Sequence, residues 1–389
     1  RICVSVMTPA IRVEQVYNEQ LNKGLNSFMG DFFNTMQEMA NNPESLATRT
    51  QVKETADSLV KDFKRVHTQL NEISRDLDQQ IVSQIAEVNE MAKEVATLNE
   101  KVQQVELSGG HANDERDRRE LLVKQIGERV NIKWAEGQDS TVTITVGNSA
   151  LLVAGYDAKK IEVNGTPETE TKGEGNVDLF YLNSDRATPV KITEQINGGK
   201  IGGLLEVRDK VITEALADVD KMAYTLAANV NDVHREGYSV YNRTGRDFFE
   251  LPTQLRHASA NFSVSRDILE DVGHISSAGQ MSAPGDNRVA LRMANLSQDK
   301  VVGGESTIGE FYNSMVGKVG IQARRADSSQ QSQKDIVKQL GNIRESISGV
   351  SLDEEATKLI EYQKSFDASA RLIRTADEMF DTVLNLKRM

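Results

Sequence analysis

Five histidines and one cysteine in 389 residues leave few places for metal, nucleophile or proton-transfer chemistry, so the neighbourhood of each decides what it can do. The densest cluster is "HANDERD", where His111, Asp114, Glu115 and Asp117 crowd together. A catalytic zinc takes three protein ligands, commonly with more than one histidine. No second histidine lies nearby, so helix capping explains the cluster better. "DEE" at 353–355 offers carboxylates for acid–base work. Adjacent helical residues diverge around the axis, however, and negative charge at a helix start is favoured by the dipole. His234, in "NDVHREGY", falls at a helix end where a cation is favoured, with no Ser or Cys placed to act with it as nucleophile. C-terminal capping or packing is its expected role. "GGKIGG" and "VGGES" match neither phosphate-binding glycine pattern and read as hinges. Cys3 alone excludes an intrachain disulfide and CxxC-type chemistry. No catalytic, cofactor-binding or metal-binding residue is assigned.

With chemistry scarce, the elements carry the reading. A net charge of −12 and a pI near 5.1 argue against nucleic acid or an anionic membrane as partner, since phosphate binding needs concentrated Lys and Arg. No run of about eighteen apolar residues is present to span a membrane, and the opening "RICVSVMTPAIRVEQVY" is too short in its apolar part for a signal peptide. Only 5% aromatic residues and a mean hydropathy of −0.46 are low for a compact enzyme and suggest elongated helical packing.

Glu44–Leu107 contains neither Gly nor Pro, and Val66, Leu70, Ile73, Leu77, Ile81, Ile85, Val88, Met91, Val95, Leu98, Val102 and Val105 recur at steps of three and four. This predicts a coiled-coil-like rod on the order of 90 Å, with a stutter through Leu77–Ile85. "SGGHAND" ends it, with Gly109 and Gly110 suited to the left-handed cap and Asn113 or Asp114 to the next N-cap. From Val130 to about Gln195 the pattern alternates with period two between turn residues, predicting a small antiparallel sheet with Trp134 in its core. Flexible points near Gly127 and Gly198 should let this module fold by itself. A second long helix ends at Gly237, loops and short elements follow, and helix resumes near Ser306 with a Gln- and Ser-rich middle, "DSSQQSQK". The fold class is therefore mainly α: an elongated helical bundle with a separate small β domain. The expected divisions are 1–129, first part of the rod; 130–200, outer β domain; 201–350, second part of the rod with a loop-rich insert at 238–305; and 351–389, a C-terminal helix.

That last helix opens on an S-x-x-E capping box, Ser351 and Glu354. Its stripe is Leu352, Ala356, Leu359, Gln363, Phe366, Ala370, Ile373, Ala376, Phe380 and Val383. Propensity alone leaves an isolated helix marginal, so the stripe needs a partner, in the same chain or in the next subunit.

Five stretches, in order, carry a resemblance: "DFFNTMQEMANNPES" from Asp31, "ANDERDRRELL" at 112–122, "NDVHREGY" with "TGRDFFE" at 231–250, "APGDN" at 283–287, and the closing "SGVSLDEEATKLIEYQKSFDASARLIRTADEMFDTVLNL". Together they resemble the bacterial flagellar axial proteins, and within them the hook-associated branch at the hook–filament junction. The resemblance implies a non-enzymatic, secreted structural joint. It would be exported through the flagellar type III channel and self-assemble between hook protein and the second junction protein. An export chaperone would hold roughly Ser351–Met389 beforehand, and the stripe would face neighbouring subunits. The family's opening "NxAN…GY" motif is missing, so the sequence reads as truncated at its start, and the chain around residues 17–27 is shorter than in the family, which implies a deletion or a gap there. Hook or rod components, which share the closing pattern, are the nearest alternative. A helical-rod metal-dependent hydrolase using "HANDERD" is the alternative from another class.

Overall fold

The computed structural model describes residues 2–17, 23–165, 176–182, 188–283, 285–348 and 352–386. Among these, helices α1 (Ile2–Val16), α2 (Leu25–Asn41), α3 (Leu46–Leu107) and α4 (Asn113–Arg129) precede strands β1 (Ile132–Glu136), β2 (Val142–Val146), β3 (Ala150–Ala154), β4 (Asp157–Ala158), β5 (Ile161–Gly165), β6 (Val177–Tyr181) and β7 (Val190–Lys191). Helix α5 (Gly199–Glu206) continues through a π-helical turn, Val207–Ile212, into α6 (Thr213–Glu236). Short elements follow: β8 (Phe249–Glu250), α7 (Ala258–Asn261), β9 (Ser263–Val264), α8 (Arg266–Glu270) and α9 (Arg288–Asn295). Two long helices, α10 (Ile308–Ser348) and α11 (Leu352–Leu386), close the chain. Residues 1–330 form one compact unit and 331–389 another. The mainly helical architecture with small antiparallel sheets is the one the sequence predicts.

Helix α3 organises the first unit. Its 62 residues span about 93 Å at the α-helical rise. Ser45 caps it, its Oγ accepting the Thr48 N–H at 3.3 Å. At the far end Gly109 adopts φ +84°, and the N–H groups of Gly109 and Gly110 bond the carbonyls of Glu106 and Val105 at 3.0 and 3.1 Å, the paired bonds of a Schellman stop. The following helix is capped by Ala112, without a side-chain bond, rather than by Asn113 or Asp114. Val52, Ala56, Leu59, Phe63, Val66, Leu70, Ile73, Leu77, Ile81, Ile85, Val88, Ala92, Val95, Asn99 and Val102 are all buried along α3. The expected Met91 is half-buried and its small neighbour Ala92 takes the seam. Helices α1, α2, α4, α5, α6 and α7 pack around this stripe.

The β region forms two sheets, β1-β2-β3-β4 and β5-β6-β7, antiparallel throughout. Val142, Ile144 and Val146 point into the core while Thr143 and Thr145 stay half-buried, as period two requires. Trp134 does not anchor this core: it pairs opposite Ile144 on the edge strand β1 and remains 53% exposed. A strand with one neighbour leaves its side chains uncovered on the open side, so Ile144, Leu152, Val153, Ile161 and Leu179 fill the interior instead. These residues and the α3 stripe belong to one continuous hydrophobic core.

Two asparagines fasten the sheets to the helix. Asn99 donates to the carbonyls of Val142 and Gly155 at 2.9 and 2.7 Å and accepts the Val142 N–H at 2.9 Å. Asn89 binds both backbone groups of Ile161, each at 2.9 Å. The neck of the region is tight where the sequence suggested flexibility. Gly199 has φ +71°, and a Cβ there would stand 2.5 Å from the Arg129 carbonyl carbon and the Val130 nitrogen. The returning chain thus crosses directly against the outgoing one.

The scarce aromatics are concentrated rather than spread. Phe63 and Phe262 meet edge-on at 5.1 Å, Phe249 lies 4.7 Å from Phe262 and 4.8 Å from Phe248, and Phe32 lies 5.8 Å from Phe248. This cluster fixes the loop-rich stretch 238–305 onto α2 and α3. Helix α10 then starts on a reciprocal capping box. Thr307 N–H bonds Glu310 Oε2 at 2.9 Å and Glu310 N–H bonds Thr307 Oγ1 at 3.1 Å. Ile308, Tyr312, Met315, Val319, Ala323 and Ala326 are buried along it. Past Ala326 its described side chains are exposed.

Candidate assembly surface

Helix α11 satisfies its own backbone, so what remains to be explained is its side chains. Leu359, Phe366, Ile373 and Phe380 are exposed, Phe366 to 75%; Ala356 and Ala376 are exposed and Ala370 half-buried. Leu352 and Val383 lie within the helix, but their side chains, and that of Glu354, fall outside the described ones. Ser351 lies outside the described residues altogether. Tyr362, Leu372 and Met379 are exposed as well and were missed by a reading that followed one seam. Leu372 and Met379 repeat at the same seven-residue interval as Ile373 and Phe380, roughly 100° round the axis. The apolar face is therefore nearly half the circumference, wide enough to pack against more than one neighbouring helix. A contiguous surface of this kind marks an interaction site on a soluble protein. Ile336, Val337, Leu340 and Ile343 of α10 add a second exposed apolar row within the same unit.

The residues whose types could carry chemistry do other work. His111, Asp114 and Asp117 are exposed at the start of α4, where Asp114 and Glu115 occupy the first turn. Among the described residues, no group of three or more His, Cys, Asp or Glu is placed to hold a metal ion. Of the carboxylates at 353–355, Glu355 pairs with Lys358 at 3.1 Å. His234 is fully buried, and burial pushes its pKa down to about 4. It is therefore neutral, not the cation expected at a helix end. Its Nδ1–H donates to the Arg246 carbonyl at 2.8 Å and its Nε2 accepts the Ser276 N–H at 2.9 Å. One turn earlier, Asn231 accepts the N–H groups of Phe248 and Phe249, both at 2.9 Å, and donates to the Phe249 carbonyl at 2.8 Å. "NDVHREGY" is thus a latch that clips "TGRDFFE" to the end of α6.

One cluster has the residue types of a hydrolase. Ser259 Oγ lies 2.9 Å from His67 Nδ1 and also donates to Asp220 Oδ1. In a nucleophile relay the histidine accepts the serine proton and the acid orients the histidine. Here the serine gives its proton to the aspartate and receives one from His67, and Ser259 is wholly buried. Asp220 further accepts the Ser259 and His257 N–H groups at 2.9 and 2.8 Å. Burial would raise its pKa, but these bonds outweigh it and hold the carboxyl below its usual range. The cluster pins α7 to α6 and α3. No described helix is long and apolar enough to cross a membrane.

Comparison with known proteins agrees with a structural reading of these sites. The family model for the flagellar hook-associated protein FlgK helical domain matches residues 10–249. The model for the flagellar basal body rod FlgEFG protein C-terminal region matches residues 344–386, which include α11. Flagellar hook-associated protein 1 of Bacillus subtilis is 27% identical over 96% of this chain and 78% of its own length. The Salmonella typhimurium protein of that name is 23% identical over 94% of this chain and 82% of its own. In fold, the chain is similar to the flagellar hook junction protein FlgK from Burkholderia pseudomallei, with a TM-score of 0.79 at 12% identity over 89% of this chain and 98% of that one. A match spanning most of the first unit, with the α3 stripe and the Asn231–His234 latch inside it, establishes that the chain belongs to the flagellar hook-associated protein FlgK family, a family of flagellar structural proteins.

Proposed function

We propose that this protein is a subunit of the joint between flagellar hook and filament, with α11 as its assembly helix and no catalytic role. The observation that carries this reading is the broad apolar face of α11, exposed where the stripes of α3 and α6 are covered. Burying one large apolar side chain contributes about 1.5 to 3 kcal/mol, so the face is a large reserve of association energy that the isolated chain leaves unused. Its partners are the same helix of neighbouring copies. Hook protein lies on one side of the zone and the second junction protein on the other. Before assembly an export chaperone covers 351–389 while the chain leaves through the flagellar type III channel to the cell exterior. The β region, 130–200, faces outward from the axis, and 1–129 with 201–350 form the body between. The match of 344–386 to the rod-protein C-terminal model favours a general axial role for α11. The match of 10–249 narrows that role to the junction.

The decisive experiment replaces Phe366 and Ile373 together by Asp. An unpaired carboxylate on a packed face costs more than a cavity, so the double variant folds normally by circular dichroism and fails to join the hook tip, leaving cells without attached filaments. Normal filaments from this variant would sink the proposal.

A further inference from the structure

Arg49 is 1% exposed, yet among the described residues it has no carboxylate partner within ion-pair distance. Its guanidinium is held by neutral acceptors only: the carbonyls of Ile275 and of Pro43, the latter at 2.7 Å, and Ser277 Oγ at 2.7 Å. Its Nε is buried without a hydrogen-bond partner. A buried cation without a counter-charge is costly, and burial alone pulls its pKa down to about 10. The arginine lines a cavity of about 330 Å³ together with Ser239, Asn242, Ser277, Gln280 and Ser282.

These neighbours have donors to spare. Ser277 accepts from Arg49, so its hydroxyl proton is free to be given away. Asn242 uses its Oδ1 to accept the Ser282 N–H at 2.7 Å, which directs its amide NH₂ elsewhere. The geometry points to a binding site for a small oxyanion of the carboxylate type, with Arg49 as the counter-charge and these hydroxyl and amide groups as donors. The same chemistry is offered by a free carboxylate and by an acidic side chain of a second copy, whose net charge is −12. Glu44, which also lines the cavity, opposes the anion and sets how tightly it is held.

The test uses the full chain and sodium acetate as the probe, replacing sodium chloride at constant ionic strength. Amide resonances of Ser239, Asn242, Ser277 and Ser282 are followed. Saturable shifts confined to these residues are expected. Glu44→Gln should tighten binding and Gln280→Glu weaken it, each by up to about tenfold for one charge a few ångströms from the ligand. Neither side chain holds Arg49, so both variants keep the fold. No saturable shift, or the same response in both variants, overturns the site and leaves the cavity to water. Sedimentation velocity separates the sources. Self-association that acetate suppresses in the parent chain, and that Gln280→Glu lacks, assigns the site to a second copy. Acetate binding without such association assigns it to a free anion.

Discussion

Helices α3 and α11 present nearly the same text: apolar residues every three or four positions, polar residues between, no proline. In α3 the rest of the first unit covers the stripe from Val52 to Val102, whereas in α11 the equivalent large residues stand exposed. Amphipathic spacing states that a face must be covered and says nothing about which chain covers it. The difference lies in what surrounds each helix. Six helices and both sheets share a core with α3.

Matched truncations test that contrast most directly. Phe63→Ala should destabilise the isolated chain by about 3 to 5 kcal/mol, because Phe63 is fully buried against Phe262. Phe366→Ala should leave the urea midpoint of the same transition unchanged. A loss of comparable size in both would mean that α11 is covered within the monomer.

Acid provides the next largest effect. His234 titrates at about 4 when folded, against 6.5 in an unfolded chain. Between those values the unfolded state binds more protons, so stability is full above pH 6.5 and falls as pH drops towards 4, by at most roughly 3 kcal/mol. Asp247 pulls the folded value up and Arg49 pushes it down, both less than burial does. Subtracting the urea-midpoint profile of His234→Gln from that of the parent isolates this contribution from carboxylates that titrate nearby. A flat difference would show that the latch does not depend on a neutral ring.

Asn99→Leu should cost about 1 to 3 kcal/mol, since it strips buried backbone groups of Val142 and Gly155 of their partner. Hydrogen exchange should quicken first in β2 and β3. The smallest pair of effects sits at helix starts. Ser45→Ala removes a real cap and should cost about 1 kcal/mol. His111→Ala with Asp117→Ala changes exposed positions and should shift stability by no more than about 0.5 kcal/mol, with motility intact.

The long helices, their stops and the sheet region were legible because each is written in local periodicity and turn chemistry. The α11 seam could be read for the same reason, and the second seam through Leu372 and Met379 was equally visible in the spacing. What could not be read were contacts between distant segments. Asn99 looks like a polar flaw in a coiled-coil stripe until Val142, 43 residues later, is placed beside it. Arg208 is fully buried because Asp78, 130 residues earlier, and the Val177 carbonyl meet it at 2.5 and 2.8 Å. Trp134 misled because size suggests a core position, whereas its exposure follows from β1 lying at a sheet edge. Glycines at the neck misled similarly: they permit a close crossing, and only the structure shows that the space is taken.

Asn89 and Asn99 fasten the sheets to α3 at two points ten residues apart, about 15 Å along the helix. A single fastening would let the sheets swivel about it. Two, with a crowded crossing at Gly199 as a third, convert a sideways push on the sheets into a bending moment on α3. A shaft that must turn corners gains from such a lever, since a load on the sheets is passed to the 62-residue helix α3 instead of being lost in a loose attachment.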